Sequence, residues 1–136
     1  MASTGVITQV IGSTFDAQFP EDQLPDIYNA VSVDAQTRAG HLKITGEVQK
    51  HLGGGRVRCV ALGSTDGMSR GLKALDLGGP VQVPVGEQVL GRVFNLLGEP
   101  VDEAGPVQTS KKRGIHQTPP EFAELNPRTE ILVTGI

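Results

Sequence analysis

Apolar and polar residues alternate early in the chain. Phe15, Ala17 and Phe19 interleave with Thr14, Asp16 and Gln18, and Leu42, Ile44, Gly46 and Val48 interleave with Lys43, Thr45, Glu47 and Gln49. A period of two places one set on a core and the other in water, so both segments read as strands. Val6–Ile11 and Val57–Leu62 are more continuously apolar, as strands covered on both faces would be. Ile27–Val33 supplies a fifth strand and Leu72–Leu77 a sixth, with breakers at Pro20–Pro25, Ala39-Gly40, Gly53-Gly54-Gly55 and Asp66-Gly67. Five or six short strands in so few residues predict a small closed β-barrel, because closure removes exposed sheet edges.

The pattern changes near Gly78-Gly79-Pro80. Val81, Val83 and Val85 still alternate, but Pro84 lacks the N–H that a central strand needs. Val89–Leu97 is a second apolar run closed by Gly98-Glu99-Pro100, and Asp102–Arg113 reads as a polar loop. A short helix is expected over Glu121–Leu125, with Thr118 as its cap and Asn126-Pro127 as its end. The run Ile131-Leu132-Val133 lies beside the last residues. Residues 80–136 carry core-forming side chains but too few elements for a layered domain, so they read as the opening of something longer. The expected fold is therefore mainly β, divided into a barrel over residues 1–79 and an incomplete segment over 80–136.

Composition narrows the functional classes. With 12 Lys plus Arg against 15 Asp plus Glu, the net charge is −3, which offers no positive field for nucleic acid or anionic lipid. The 18 glycines and nine prolines make turns frequent. A single cysteine, Cys59, excludes an internal disulfide and a cysteine-based zinc site. The amino-terminal residues resemble neither a signal peptide nor an Arg-rich transit peptide. The expectation is a soluble, intracellular β protein.

Candidate chemistry is sparse. Gly53-Gly54-Gly55 has no following Gly-Lys pair, so it reads as a hairpin tip rather than a phosphate cradle. His41, His51 and His116 lack the spacing of a helical metal site and read as surface histidines. Cys59 sits in an apolar strand and reads as a small buried hydrophobe. Ser110-Lys111-Lys112-Arg113 reads as a solvated basic loop, and Glu21/Asp22 and Asp102/Glu103 as solvated turns. Gly63-Ser64-Thr65-Asp66-Gly67-Met68-Ser69-Arg70-Gly71 is a shaped turn able to hold an Asp66–Arg70 contact, with Gly67 at positive φ.

That turn, together with Gly5–Gly12, Phe15-Asp16-Ala17, Pro84-Val85-Gly86, Leu90–Asp102, Ile115-His116 and Thr134-Gly135-Ile136, resembles the catalytic beta subunits of F-type ATP synthases. The segment around Leu97, Gly98, Glu99, Pro100 and Asp102 is also similar to alpha subunits and rotary-type export ATPases. The turn carrying Gly63, Ser64, Thr65, Asp66, Gly67, Arg70 and Gly71 resembles beta in particular. The resemblance implies a six-stranded N-terminal barrel followed by the opening segment of an α/β P-loop nucleotide-binding domain. It implies a proton-translocating ATP synthase that makes or hydrolyses Mg-ATP. It also implies alpha subunits in an alternating ring, a gamma subunit and a membrane sector as partners, at the cytoplasmic face of the bacterial cell membrane.

In such proteins the phosphate loop, its lysine, the magnesium-binding threonine and the catalytic glutamate follow the counterpart of Ile136. No catalytic, cofactor-binding or metal residue is therefore assigned in residues 1–136, and the chain alone is expected to be inactive. A free-standing, non-catalytic barrel that binds another protein is the alternative of a different class, alongside the related alpha subunit or export ATPase. A nucleic-acid-binding barrel would want a basic groove and stacking aromatics, which four Phe, one Tyr and a net charge of −3 do not supply.

Overall fold

A computed structural model describes residues 3–37, 40–126, 128–131 and 133. Met1-Ala2, Ala39 of the predicted Ala39-Gly40 breaker, Pro127 at the predicted helix end, Leu132 and the Thr134-Gly135-Ile136 segment lie outside the described residues. Six strands come first: β1 (Thr4–Ile11), β2 (Thr14–Gln18), β3 (Ala30–Thr37), β4 (Gly40–Gly53), β5 (Arg56–Ala61) and β6 (Lys73–Asp76). They close into an antiparallel barrel in the order β1-β2-β5-β4-β3-β6, with β6 returning to β1 through Thr4↔Leu75 and Val6↔Lys73. This is the closed six-stranded barrel that the alternation predicts.

Inside, Ile7, Phe15, Ala17, Phe19, Val31, Val33, Ile44, Val48, Val57, Cys59 and Ala74 form one cluster. Phe15 is the large plug, and Gly46 on β4 makes room for it. A Cβ built on Gly46 would lie 2.5 Å from Phe15 Cε1. The Gly53-Gly54-Gly55 tip forms as expected, with φ of 85°, 58° and 72°. There Gln18 Nε2 donates to Gly54 O at 2.8 Å, and the Phe19 N–H donates to Gly55 O at 2.8 Å.

Several strand expectations are corrected. β1 and β5 are covered on one face only: Val6, Ile11 and Val60 point outward and are exposed. Ile27–Val33 is not one strand, because Tyr28 has a φ of 72° and the Asn29 N–H turns back to Asp26 O at 3.1 Å. β3 starts only at Ala30. Asp16 and Glu47, whose alternation puts them in water, are both buried. Asp16 escapes the desolvation of a lone carboxylate through a two-point pair with Arg58, which sits opposite it on β5 at 2.7 and 2.9 Å.

Beyond the barrel, β7 (Gln82–Pro84) and β8 (Lys112–Gly114) pair antiparallel as a two-stranded sheet. Pro84 is accommodated because β7 has only one partner strand. The basic run is corrected accordingly: Lys112 and Arg113 are paired strand residues rather than loop. The predicted helix is a single 3-10 turn, Phe122–Glu124, with Glu121 rather than Thr118 at its N-cap position and no side-chain cap. No helix among the described residues is long and apolar enough to cross a membrane.

Candidate functional site

The Gly63–Gly71 turn leads from the end of β5 to β6. Ser64 Oγ donates to Asp66 Oδ2 at 2.7 Å and accepts the Asp66 N–H at 3.2 Å. Thr65 Oγ1 donates to Gly12 O in the β1–β2 turn at 2.7 Å, and the Gly71 N–H donates to Ile7 O at 2.9 Å. Met68 packs against the barrel core. The turn is thereby tied to a neighbouring turn and to the plug beneath it. The expected Asp66–Arg70 contact does not form among the described residues; the Asp66 carboxylate instead accepts from the Ser64 hydroxyl within the turn. Gly67 does adopt positive φ, 82°. Gly67→Val is expected to cost about 1–3 kcal/mol, the usual range for a strained φ/ψ. A thermal melt checks this, since an unchanged Tm would mean the turn tolerates a branched side chain.

The second segment is organised by a residue that the sequence pattern did not single out. Asn95 Oδ1 accepts the Leu97 and Glu99 N–H groups at 3.0 and 2.9 Å, and its Nδ2 donates to Glu99 Oε2 at 2.9 Å. An Asn three residues before a Gly is an Asx-turn signal that could have found it. Gly98, at φ 74°, lies so close to β7 that a Cβ would meet Pro84 Cδ at 2.5 Å. Pro100 bridges to Phe94.

Asp102 is corrected from a solvated turn to half of a clamp. Arg92 Nη2 donates to its Oδ1 at 2.9 Å and Nε to its Oδ2, and the Val93 and Ala104 N–H groups add bonds at 3.1 and 3.2 Å. The Arg92 bond, followed by the Val93 N–H, holds the Asp102 carboxyl well below the usual carboxylate range. Asp102 raises Arg92 in turn. A carboxyl with a depressed folded value stabilises above its ordinary pKa of 3.8 and loses that contribution as pH falls toward the folded value. The Val93 and Ala104 amide resonances are therefore expected to stay flat from pH 6 to pH 4 and to move only in stronger acid. Movement near pH 4 would show that Arg92 leaves Asp102 unperturbed.

The third cluster joins the two sheets. His116, expected as a surface histidine, stacks on Tyr28 with ring centroids 4.2 Å apart and lies 2.7 Å from Glu47 Oε2. A carboxylate only accepts, so toward the Glu47 carboxylate the His116 Nε2–H donates. His41 and His51 pair instead with Asp34 Oδ1 and Pro25 O, each at 2.7 Å.

The triple glycine joins two antiparallel strands, whereas a phosphate loop joins a strand to a helix N-terminus. Among the described residues no group of three His, Cys, Asp or Glu side chains converges as metal ligands. Cys59 is fully buried, and desolvation, aided by the Asp16 charge, pushes its thiol up to about 12. An activated nucleophile needs the opposite shift. The surface of the barrel is what remains. Ile11 on β1, Thr14 on β2 and Val60 on β5 occupy one row across adjacent strands, and Val6 on β1 and Leu75 on β6 are exposed apolar residues elsewhere on the wall.

The model of the ATP synthase alpha/beta family, beta-barrel domain, matches residues 7–78. That span covers more than half of the chain and runs from within β1 to the residues just after β6.

Proposed function

Because the chain belongs to the ATP synthase alpha/beta family, we propose that its barrel is the ring-forming domain of a beta subunit, and that it contributes lateral contacts rather than catalysis. The Gly63–Gly71 turn supports beta over alpha, since it carries the beta-like Gly-Ser-Thr-Asp-Gly-x-x-Arg-Gly pattern. The single observation that carries a contact role is the row Ile11–Thr14–Val60, exposed and apolar at its two ends, on a barrel that has no open edge of its own. Alternating, non-identical neighbours close a heterologous ring when the rotation returns to its start, and apolar strips on barrel walls suit that use.

On this reading residues 1–79 are the barrel domain, and residues 80–136 open the nucleotide-binding domain of a proton-translocating ATP synthase or ATPase. Its alpha and gamma subunits and membrane sector would be partners at the cytoplasmic face of the bacterial membrane. Mg-ATP or ADP would be handled by family residues outside the 136 described by this sequence. Native mass spectrometry with an alpha subunit tests the proposal, with a mixed complex expected and separate species counting against it. Isothermal calorimetry of residues 1–136 with Mg-ATP is expected to show no binding, because phosphoryl-transfer sites rest on a phosphate cradle, a metal and an oriented water. Micromolar affinity would contradict that.

A further inference from the structure

The segment carrying β7 and β8 reaches the barrel through two dissimilar attachments. One is the linker Gly78-Gly79-Pro80. Gly78 has a φ of 76°, and a Cβ built on Gly78 or Gly79 would meet no atom within 4 Å, so neither glycine is walled in by neighbouring atoms. Its base is held by two backbone bonds, Leu77 N–H to Ala30 O at 2.9 Å and Ala30 N–H to Gly79 O at 2.8 Å, and by the Gly78 N–H, which donates to Asp76 Oδ1 at 3.0 Å. Small unpacked residues beside a fixed base are the usual make-up of a hinge.

The other attachment is His116. Its ring lies on Tyr28, in the turn before β3, while its Nε2–H meets Glu47 on β4. The other Glu47 carboxylate oxygen is taken by Gln49. The Glu47 side chain is only 11% exposed, so losing the His116 donor would leave a buried carboxylate oxygen short of a partner, which is costly.

Val81, the first residue past the linker, is buried, but farther along a gap opens between segment and barrel. A cleft of about 410 Å³ separates Ser32 and Thr45 of the barrel from Leu97 and Glu99 of the segment. An ion pair across it, Lys43–Glu99 at 3.8 Å, joins side chains that are more than half exposed; such pairs contribute little. The segment itself is internally tied. Ile115 N–H donates to Val81 O, Val85 N–H donates to Lys111 O, and Gly98 packs on Pro84. A constraint on His116 therefore constrains the Leu97–Asp102 turn as well.

We propose that His116 is a conformational pin: the β7–β8 segment is hinged on the barrel at Gly78-Gly79 and is held in one orientation by His116 seated between Tyr28 and Glu47. The pin makes barrel and segment move as one body, and its removal frees the segment to swing and widen the cleft. The inference is independent of which subunit of the family this is.

Pulsed electron resonance on the full chain tests it, with spin labels at Arg56→Cys on the barrel and Gln108→Cys on the segment in a Cys59→Ala background. The parent is expected to give one narrow distance distribution. His116→Ala is expected to broaden it about twofold or add a second population, while His116→Gln, which retains an N–H donor for Glu47, narrows it again. A His116→Ala distribution matching the parent overturns the proposal. Amide protection of Val31 and Val33 confirms that the barrel stays folded. If His116→Ala loses that protection, Tyr28→Ala decides, with broadening supporting the pin and a parent-like width overturning it.

Discussion

Phe15→Ala is expected to destabilise the protein by about 3–5 kcal/mol, the range for emptying a fully buried aromatic site. Phe15 is completely enclosed, and its strand neighbours are Val10 on β1 and Cys59 on β5. Opposite its ring is a glycine with no side chain to move into the gap. A barrel wall cannot collapse inward without breaking strand pairing, so the void persists and its lining loses dispersion contacts. Small domains are stable by only about 5–15 kcal/mol, so this change takes a large fraction of the total. Urea unfolding followed by far-UV circular dichroism reads it directly, the chain having no tryptophan. A loss under about 1 kcal/mol would mean that the ring does not plug the barrel.

Gly46→Val attacks the same contact from the other side. A Cβ at residue 46 falls 2.5 and 2.6 Å from Phe15 Cε1 and Cζ, and 3.2 Å from Val60 O. The ring has nowhere to retreat, and the carbonyl belongs to a paired strand. Overpacking of this kind costs about 1–3 kcal/mol or more, and the branched side chain puts the result at the upper end. The mechanism has its own check. If the clash is with the ring, Gly46→Ala should cost less in a Phe15→Leu background than in the parent, with a coupling of about 0.5–3 kcal/mol as residues in contact show. Equal cost in both backgrounds would place the clash on the Val60 carbonyl instead. Relief should be partial, because the carbonyl remains.

Both results bear on function through shape. The row Ile11–Thr14–Val60 lies on the same strands whose inner faces Phe15 and Cys59 fill. A barrel loosened at Phe15 should present that row less rigidly, so the alpha-subunit contact proposed for it should weaken in parallel with stability.

Much of the barrel was readable in advance because a period of two needs no tertiary information. Phe15, Ala17, Ile44 and Val48 point inward where the alternation puts them, and the three glycines mark the β4–β5 tip. The places where pattern failed share a cause. Asp16 and Glu47 sit at polar positions, yet each is buried by something remote in sequence, Arg58 from 42 residues away and His116 from 69. Tyr28 looks like a strand residue, but its left-handed backbone is imposed where the chain turns into β3 and its N–H reaches Val48 O. Arg92 and Asp102 read as unrelated charges until the Asn95 turn folds one onto the other.

The sequence alone determined the strand-forming alternation, the glycine turns and the absence of a phosphate-loop motif among these residues, since each is a local property of a few neighbouring side chains. It also carried the strand-rich stretch, residues 7–78, over which the family model matches. Tertiary structure alone decided which polar groups are buried, which charges pair, and where the β7–β8 segment meets the barrel. Those outcomes depend on groups brought together by chain closure over tens of residues, and the free energy of a buried charge is set by the partner that arrives there rather than by its neighbours along the chain.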